Sequence, residues 1–134
     1  MSLSSTANEY AMKGFSVVPV VLSDKRPTIA WSKHQKERMG SEEIEKRFGS
    51  LNGQHGIAMV CGQVSGGLEV IDFDNHFGDI EKVFTEYMAI DEVKAIVEKY
   101  KLPWETSQSG GYHLFYRCEL VSGSKKLAER KNPK

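Results

Sequence analysis

Two carboxylates close an apolar segment and are the first candidates for chemistry. Asp72 and Asp74 end the run LEVIDFD at residues 68–74. Because residues two apart in a strand point to the same face, this spacing puts the carboxylates side by side. Like charges that close repel each other, and a divalent cation with a preference for hard oxygen ligands, Mg²⁺ or Mn²⁺, removes that penalty. The alternative is that both acids only serve a turn, since Asn75 and Gly78 follow them.

A glycine-rich segment supplies a second candidate. Ser109, Gly110 and Gly111 stand just before His113, at the start of another apolar run. Hydroxyl groups and unobstructed backbone amides can cradle phosphate oxygens, because glycine lets the backbone approach closely. The competing interpretation is an ordinary glycine turn between two strands. The two motifs together predict a metal and phosphate site carried by two strands.

Positive side chains in an early loop form a third candidate. Lys25 and Arg26 precede Pro27, and Trp31 follows a few residues later. Such a loop can hold a triphosphate or a template backbone, or it can be a solvated loop with Trp31 packed on the core. The chain has 18 basic and 18 acidic residues, so no global positive field attracts nucleic acid. Binding would need a local patch, for which residues 33–38 and the basic tail are further candidates.

Length and composition predict one folded domain. The chain has 134 residues, of which 40% are hydrophobic. Its two cysteines, Cys61 and Cys118, stand in apolar runs and are expected to be buried, reduced thiols. The absence of a long apolar run and of a signal peptide predicts a cytoplasmic protein without a membrane span. The tail at residues 121–134 is basic and is expected to be poorly ordered.

Helices are predicted where capping residues precede apolar periodicity. A hydroxyl side chain at positions 4–6 should cap the first helix, and Gly14 should end it in a left-handed conformation. Ser41 should cap the second helix, which ends at Gly49. An aspartate opens each of the last two. The four helices are expected at about residues 4–13, 41–49, 79–88 and 91–100.

Strands are predicted for the remaining apolar runs, at about residues 15–22, 55–61, 68–73 and 112–118. Pro19 lacks an amide donor, so the first strand should lie at an edge or be irregular. The second and third strands are separated by a glycine-rich segment at 62–67, which indicates an antiparallel hairpin. Because strands and helices are interspersed, the expected fold is α+β, with helices packed on a largely antiparallel sheet.

In this order, the segments resemble the N-terminal primase-polymerase domain of the archaeo-eukaryotic primase superfamily. They are most similar to the bifunctional primase/polymerase domains of plasmids, phages and prophages. The similar segments are the opening at residues 10–19, the Lys25-Arg26-Pro27 and Trp31 loop, residues 56–68, the acidic motif at 70–74, and the motif from Thr106 to Tyr116.

The resemblance implies template-directed nucleotidyl transfer by a primase or DNA polymerase. Asp72 and Asp74 would then hold Mg²⁺ or Mn²⁺, and His113 would contact the phosphates of the incoming nucleotide. Ser109, Gly110 and Gly111 would line the same phosphate pocket, to which Lys25 or Arg26 adds charge. The implied partners are a DNA template-primer, nucleoside triphosphates and a helicase domain or protein.

One departure from the family leaves the activity open. Members carry a third acidic residue on a strand after the histidine strand, whereas only Glu119 and Glu129 follow His113, and neither follows a new apolar strand. The expectation is therefore a chain truncated at its C-terminus or a degenerate member, with weak metal binding. The alternative function is a non-catalytic nucleic-acid-binding or replication-initiation module. A haloacid-dehalogenase-like phosphatase fits less well, because His76 stands where that class has Thr or Val.

Overall fold

The computed structural model describes residues 2–74, 78–107, 109–121 and 123–128. The chain forms two compact units. The first comprises Met1–Leu68 and Arg117–Val121, and the second comprises Glu69–Tyr116 and Ser122–Lys134. Four α-helices and two antiparallel sheets lie within the described ranges, which confirms the α+β class.

The first unit packs two helices against a two-stranded sheet. Its elements are α1 (Leu3–Met12), β1 (Ser16–Val21), α2 (Ser41–Phe48) and β2 (His55–Val60), with short 3₁₀ helices at Ser32–Gln35 and Gln63–Ser65. Strands β1 and β2 are antiparallel, and Pro19 lies opposite Ile57. The missing amide of Pro19 is tolerated at such an edge, as predicted. Buried apolar side chains from both helices and both strands form the core: Ala7, Val17, Val18, Met39, Ile44, Phe48 and Val60.

The helix starts in this unit differ from the prediction. Ser2, not a residue at positions 4–6, caps α1, because its Oγ accepts the amide of Ser5 at 3.1 Å. Gly40 is the cap residue of α2, and Ser41 is its first helical residue. In α1 the hydroxyl that lies outside the helix takes the cap position, whereas α2 begins without a side-chain cap. Gly14 has φ +98°, which confirms its left-handed conformation.

The predicted hairpin of the second and third strands is wrong. Strand β2 pairs with β1, whereas β3 (Leu68–Phe73) belongs to the other sheet, and Gly62 forms only an isolated bridge with Leu68. The hydroxyl of buried Ser65 donates to the carbonyl of Val60 and accepts the amide of Ser16 at 2.8 Å. These bonds hold the segment that follows β2 at the end of the first sheet, where Ser16 and Val60 are paired.

The second unit packs two helices against a three-stranded sheet. Its elements after β3 are α3 (Ile80–Met88), α4 (Asp91–Tyr100), β4 (Trp104–Thr106) and β5 (Tyr112–Arg117). The strand order is β3-β5-β4, so β5 is central. Asp79 caps α3 by accepting the amide of Lys82 at 3.2 Å. The short strand β4 was not predicted, because three residues carry too little alternation.

Aromatic rings fill the core of the second unit. Phe84 of α3 stacks on Tyr112 of β5 with centroids 4.2 Å apart, and it meets Phe73 of β3 edge-on at 5.1 Å. Leu114 and Ile71 pack in the same cluster. Because these residues alternate along β3 and β5, the intervening residues of both strands lie on the opposite face of the sheet.

Three further predictions concern surface and termini. Cys61 is exposed rather than buried, because it follows the last residue of β2; Cys118 is half-buried, and neither forms a disulfide. None of the helices in the described ranges is long and apolar enough to cross a membrane. Residues 123–128 have no regular secondary structure, and residues 129–134 lie outside the described part of the tail.

Candidate active site

Three polar side chains form a row across the sheet of the second unit. His113 of the central strand β5 lies between Asp72 of β3 and Glu105 of β4. Its Nε2 atom is 3.3 Å from Asp72 Oδ1, and its Nδ1 atom is 3.2 Å from Glu105 Oε1. The structure therefore brings together two of the predicted site residues, Asp72 and His113, and adds a third that was not predicted.

Strand alternation explains why these side chains meet. Phe73 and Leu114 point into the aromatic core, so Asp72 and His113, one position away on each strand, point to the other face. Glu105 lies directly opposite His113 in the β4–β5 register. That face is open to solvent: the side chains of Asp72, His113 and Glu105 are 51%, 30% and 58% exposed. A ligand could therefore reach the row.

The electrostatics of the row follow from what each group can donate. A carboxylate only accepts hydrogen bonds, so each contact is a hydrogen bond when the facing ring nitrogen carries a proton. An imidazole that carries both protons satisfies both acids at once. Because all three groups are partly solvated, water screens these interactions, and they contribute little to folding stability.

Asp74 lies just past the end of β3 and is exposed. Alternation assigns it to the same face as Asp72. Two solvent-accessible carboxylates fit Mg²⁺, which proteins commonly bind through one or two carboxylates, water and substrate phosphates. Within the described ranges, no cluster of three or more His, Cys, Asp or Glu side chains could hold a metal by itself.

The glycine-rich loop connects β4 to β5 and is closed by internal hydrogen bonds. The amide of Ser107 donates to the carbonyl of Gly111 at 2.8 Å, and the amide of Gly111 donates to Ser107 Oγ at 2.9 Å. The amide of Gly110 donates to the carbonyl of Ser107 at 3.0 Å. The hydroxyl oxygen of Ser109 is 3.3 Å from that of Ser107. Both glycine amides expected at a phosphate thus have partners within the loop, and their phosphate contact stays a prediction.

Backbone geometry and packing explain why glycine is required at positions 110 and 111. A Cβ atom on Gly111 would lie 2.1 Å from the carbonyl oxygen of Phe73, so only glycine lets the loop approach β3 this closely. Gly110 has φ +89°, which side chains disfavour. The glycine-rich segment therefore forms a turn between two strands, which is the competing interpretation given for it in the sequence analysis.

The predicted basic residues lie in the first unit. Lys25 has φ +60° and donates its amide to the carbonyl of Val21 at 2.7 Å, which forms a tight turn after β1. Arg26 pairs with Asp24 at 3.9 Å and is largely exposed. Trp31 is 38% exposed. The phosphate contact of Lys25 and Arg26 stays a prediction.

Glu119 and Glu129 are the two acidic residues that follow His113 in the sequence. Glu119 is exposed, follows the end of β5 and belongs to the first unit. Glu129 lies outside the described residues, as does His76. Glu105, the acid that does contact His113, precedes the histidine strand. The sequence contains a clue to this contact. Glu105 and His113 are equally far from Ser109 at the centre of the turn, so two strands joined by that turn pair them directly.

Two acids and a histidine thus lie on neighbouring strands of an α+β chain. A family model described as bifunctional DNA primase/polymerase, N-terminal, matches residues 7–134. The chain therefore belongs to this family, which confirms the resemblance in its sequence and indicates a primase/polymerase-type function. Family membership also implies DNA and nucleotides as substrates. No curated protein matches the chain.

Proposed function

We propose that the chain is a DNA primase/polymerase domain that performs metal-dependent, template-directed nucleotidyl transfer in plasmid, phage or prophage replication. The observation that carries the proposal is the contact of His113 with Asp72 on an accessible sheet face. A group able to donate to phosphate and a group able to bind a cation thus lie within 3.3 Å of each other. A nucleoside triphosphate with its metal needs both at the same place.

Asp72 and Asp74 would hold Mg²⁺ or Mn²⁺. When bound, the ion supplies positive charge that favours loss of the primer 3′-hydroxyl proton and stabilises the departing pyrophosphate. His113 donates from Nε2 to a phosphate oxygen of the incoming nucleotide, which takes the place of Asp72 as its acceptor. The hydroxyl of Ser109 would line the phosphate pocket, and the amides of Gly110 and Gly111 would contact a phosphate by exchanging their hydrogen bonds to Ser107 for it.

The wider partners follow from the same proposal. Lys25 and Arg26 would add positive charge toward the triphosphate or the template strand. The DNA template-primer and nucleoside triphosphates are the substrates, and a helicase domain or protein is the expected partner in replication. The site in the second unit carries the chemistry, so variants there should affect catalysis more than variants of the Lys25 loop.

Two assays on the full chain test this function. The first measures dATP binding with excess Mn²⁺, and the second measures Mn²⁺-dependent extension of a labelled primer on a DNA template. Asp72→Asn and Asp74→Asn should each reduce extension by about a hundredfold or more, because they remove charge that stabilises the reacting phosphates. Asp91→Asn, an exposed acid at the start of α4, is the matched control and should leave both readouts unchanged.

The outcomes separate the proposal from its alternative. Extension that persists in both Asp→Asn variants would contradict the assignment of the two carboxylates. A wild-type chain that binds the template-primer DNA equally well with and without Mn²⁺, and extends nothing, would instead indicate the non-catalytic nucleic-acid-binding module.

A further inference from the structure

Glu105 is the member of the row to which family membership gives no role. Its Oε1 atom lies 3.2 Å from Nδ1 of His113, and the β4–β5 register places the two residues directly opposite each other. We infer that Glu105 is a positioning residue for His113: it accepts a hydrogen bond from the Nδ1–H group and fixes the ring so that Nε2 faces the Asp72 side. This inference rests on the proposed function, in which Nε2 contacts a nucleotide phosphate.

The geometry of the row supports a positioning role. The two nitrogens of an imidazole lie on different sides of the ring, so a hydrogen bond at Nδ1 sets the direction in which Nε2 points, and a ring that carries both protons donates from both nitrogens. Because β5 is the central strand, His113 has one neighbouring strand on each side, with Glu105 on one and Asp72 on the other. The ring of Phe115 meets that of His113 edge-on at 6.0 Å and limits the space along the strand.

The charge of Glu105 and a positioning role predict opposite changes in nucleotide affinity when Glu105 is removed, so the direction of the change tests the inference. A carboxylate close to a triphosphate repels it, so removal of Glu105 would strengthen nucleotide binding if repulsion were its only contribution. If Glu105 instead orients His113, its removal weakens binding, because the ring must be ordered at the expense of binding free energy. Glutamine keeps an acceptor oxygen at the same position while losing the charge.

The experiment measures dATP affinity of the full chain with Mn²⁺ by calorimetry. Glu105→Ala should weaken binding by about two- to tenfold, the effect of one lost hydrogen bond, whereas Glu105→Gln should stay within about twofold of the wild type. Glu105→Thr, which suits a strand but is too short to reach His113, should behave like the alanine variant. Glu98→Ala, an exposed acid on α4, is the control and should have no effect.

Two further readouts separate positioning from a general structural role. In a His113→Ala background, Glu105→Ala should cause no additional loss, because Glu105 acts only through the ring. In ¹H–¹⁵N spectra of the histidine ring, the Nδ1 proton of His113 should be protected from exchange in the wild type and in Glu105→Gln. That protection should be lost in Glu105→Ala.

The results distinguish failure of the inference from failure of the proposed function. Unchanged or tighter binding in Glu105→Ala, with weaker binding in His113→Ala, would overturn the role of Glu105 and leave the function standing. An additional loss from Glu105→Ala in the His113→Ala background would also overturn it. No effect of His113→Ala on dATP binding would remove the nucleotide contact itself, and the positioning role with it.

Discussion

The substitution Gly111→Ala should destabilise the second unit, although glycine-rich loops are commonly read as phosphate-binding elements. The added Cβ would lie 2.1 Å from the carbonyl oxygen of Phe73 and 3.1 Å from Ser107 Oγ. Real Cβ atoms essentially never approach another heavy atom closer than 3.0 Å. The loop and β3 must therefore separate by at least about 0.9 Å, the difference between the 3.0 Å limit and the 2.1 Å contact with Phe73.

The magnitude follows from what that separation disturbs. Phe73 contacts Phe84 and Tyr87 edge-on, and the amide of Gly111 donates to Ser107 Oγ, so a shift affects both the core and the loop. Inserting a methyl group into a packed site typically costs about 1–3 kcal/mol. With a urea dependence of about 2 kcal/mol/M, a loss of about 2 kcal/mol lowers the unfolding midpoint by about 1 M.

Tryptophan fluorescence can follow this unit separately. The chain has two tryptophans, and Trp104 contacts Phe84 and Tyr112 in the second unit. In a Trp31→Phe background, urea unfolding monitored at Trp104 should show the lower midpoint for Gly111→Ala. Gly53→Ala is the control, because nothing lies within 4 Å of its added Cβ. An unchanged midpoint for Gly111→Ala would refute the packing explanation and would leave nucleotide contact as the reason for the glycine.

Three further predictions concern stability and can be measured by chemical unfolding. Phe84→Ala should destabilise the second unit by about 3–5 kcal/mol, because it empties the centre of the aromatic cluster; a loss below about 1 kcal/mol would contradict that packing. Ser65→Ala should cost about 1–3 kcal/mol, since the buried amide of Ser16 loses its acceptor, whereas Ser109→Ala, at an exposed hydroxyl, should cost little. Asp72→Asn should change stability by less than about 1 kcal/mol, because the carboxylate is half-exposed; a larger loss would mean that its effect on activity reflects misfolding.

Elements with strong periodicity or caps could be predicted from the sequence. Helices α3 and α4 lie within about a residue of their expected bounds, because Asp79 and the apolar stripes mark them. The pairing of β2 with β1 could not be predicted. The two strands are separated by more than 30 residues, and even the hydroxyl of Ser65 at the end of the ladder accepts from an amide 49 residues away in sequence, so local pattern carries no information about their pairing.

Two residues of the candidate site, Asp72 and His113, were predicted from the sequence, whereas Glu105 was not. Alternation on β3 put Asp72 and Asp74 on one face, the glycine-rich segment marked His113, and the structure places Asp72 and His113 in contact. Glu105 was missed because β4 has only three residues, too few for a period to be recognised. Its position opposite His113 becomes visible only when the segment from Thr106 to Tyr112 is read as a turn that joins two paired strands.

Binding of Mn²⁺ together with dATP tests the central claim most directly, since it requires no catalytic turnover. In ¹H–¹⁵N spectra of the full chain, paramagnetic Mn²⁺ broadens signals only near its binding site. We predict selective broadening around Asp72, Asp74 and His113, and its loss in the Asp72→Asn, Asp74→Asn double variant. Broadening elsewhere in the chain, or the same broadening in the double variant, would contradict the assignment of this sheet face as the metal and nucleotide site.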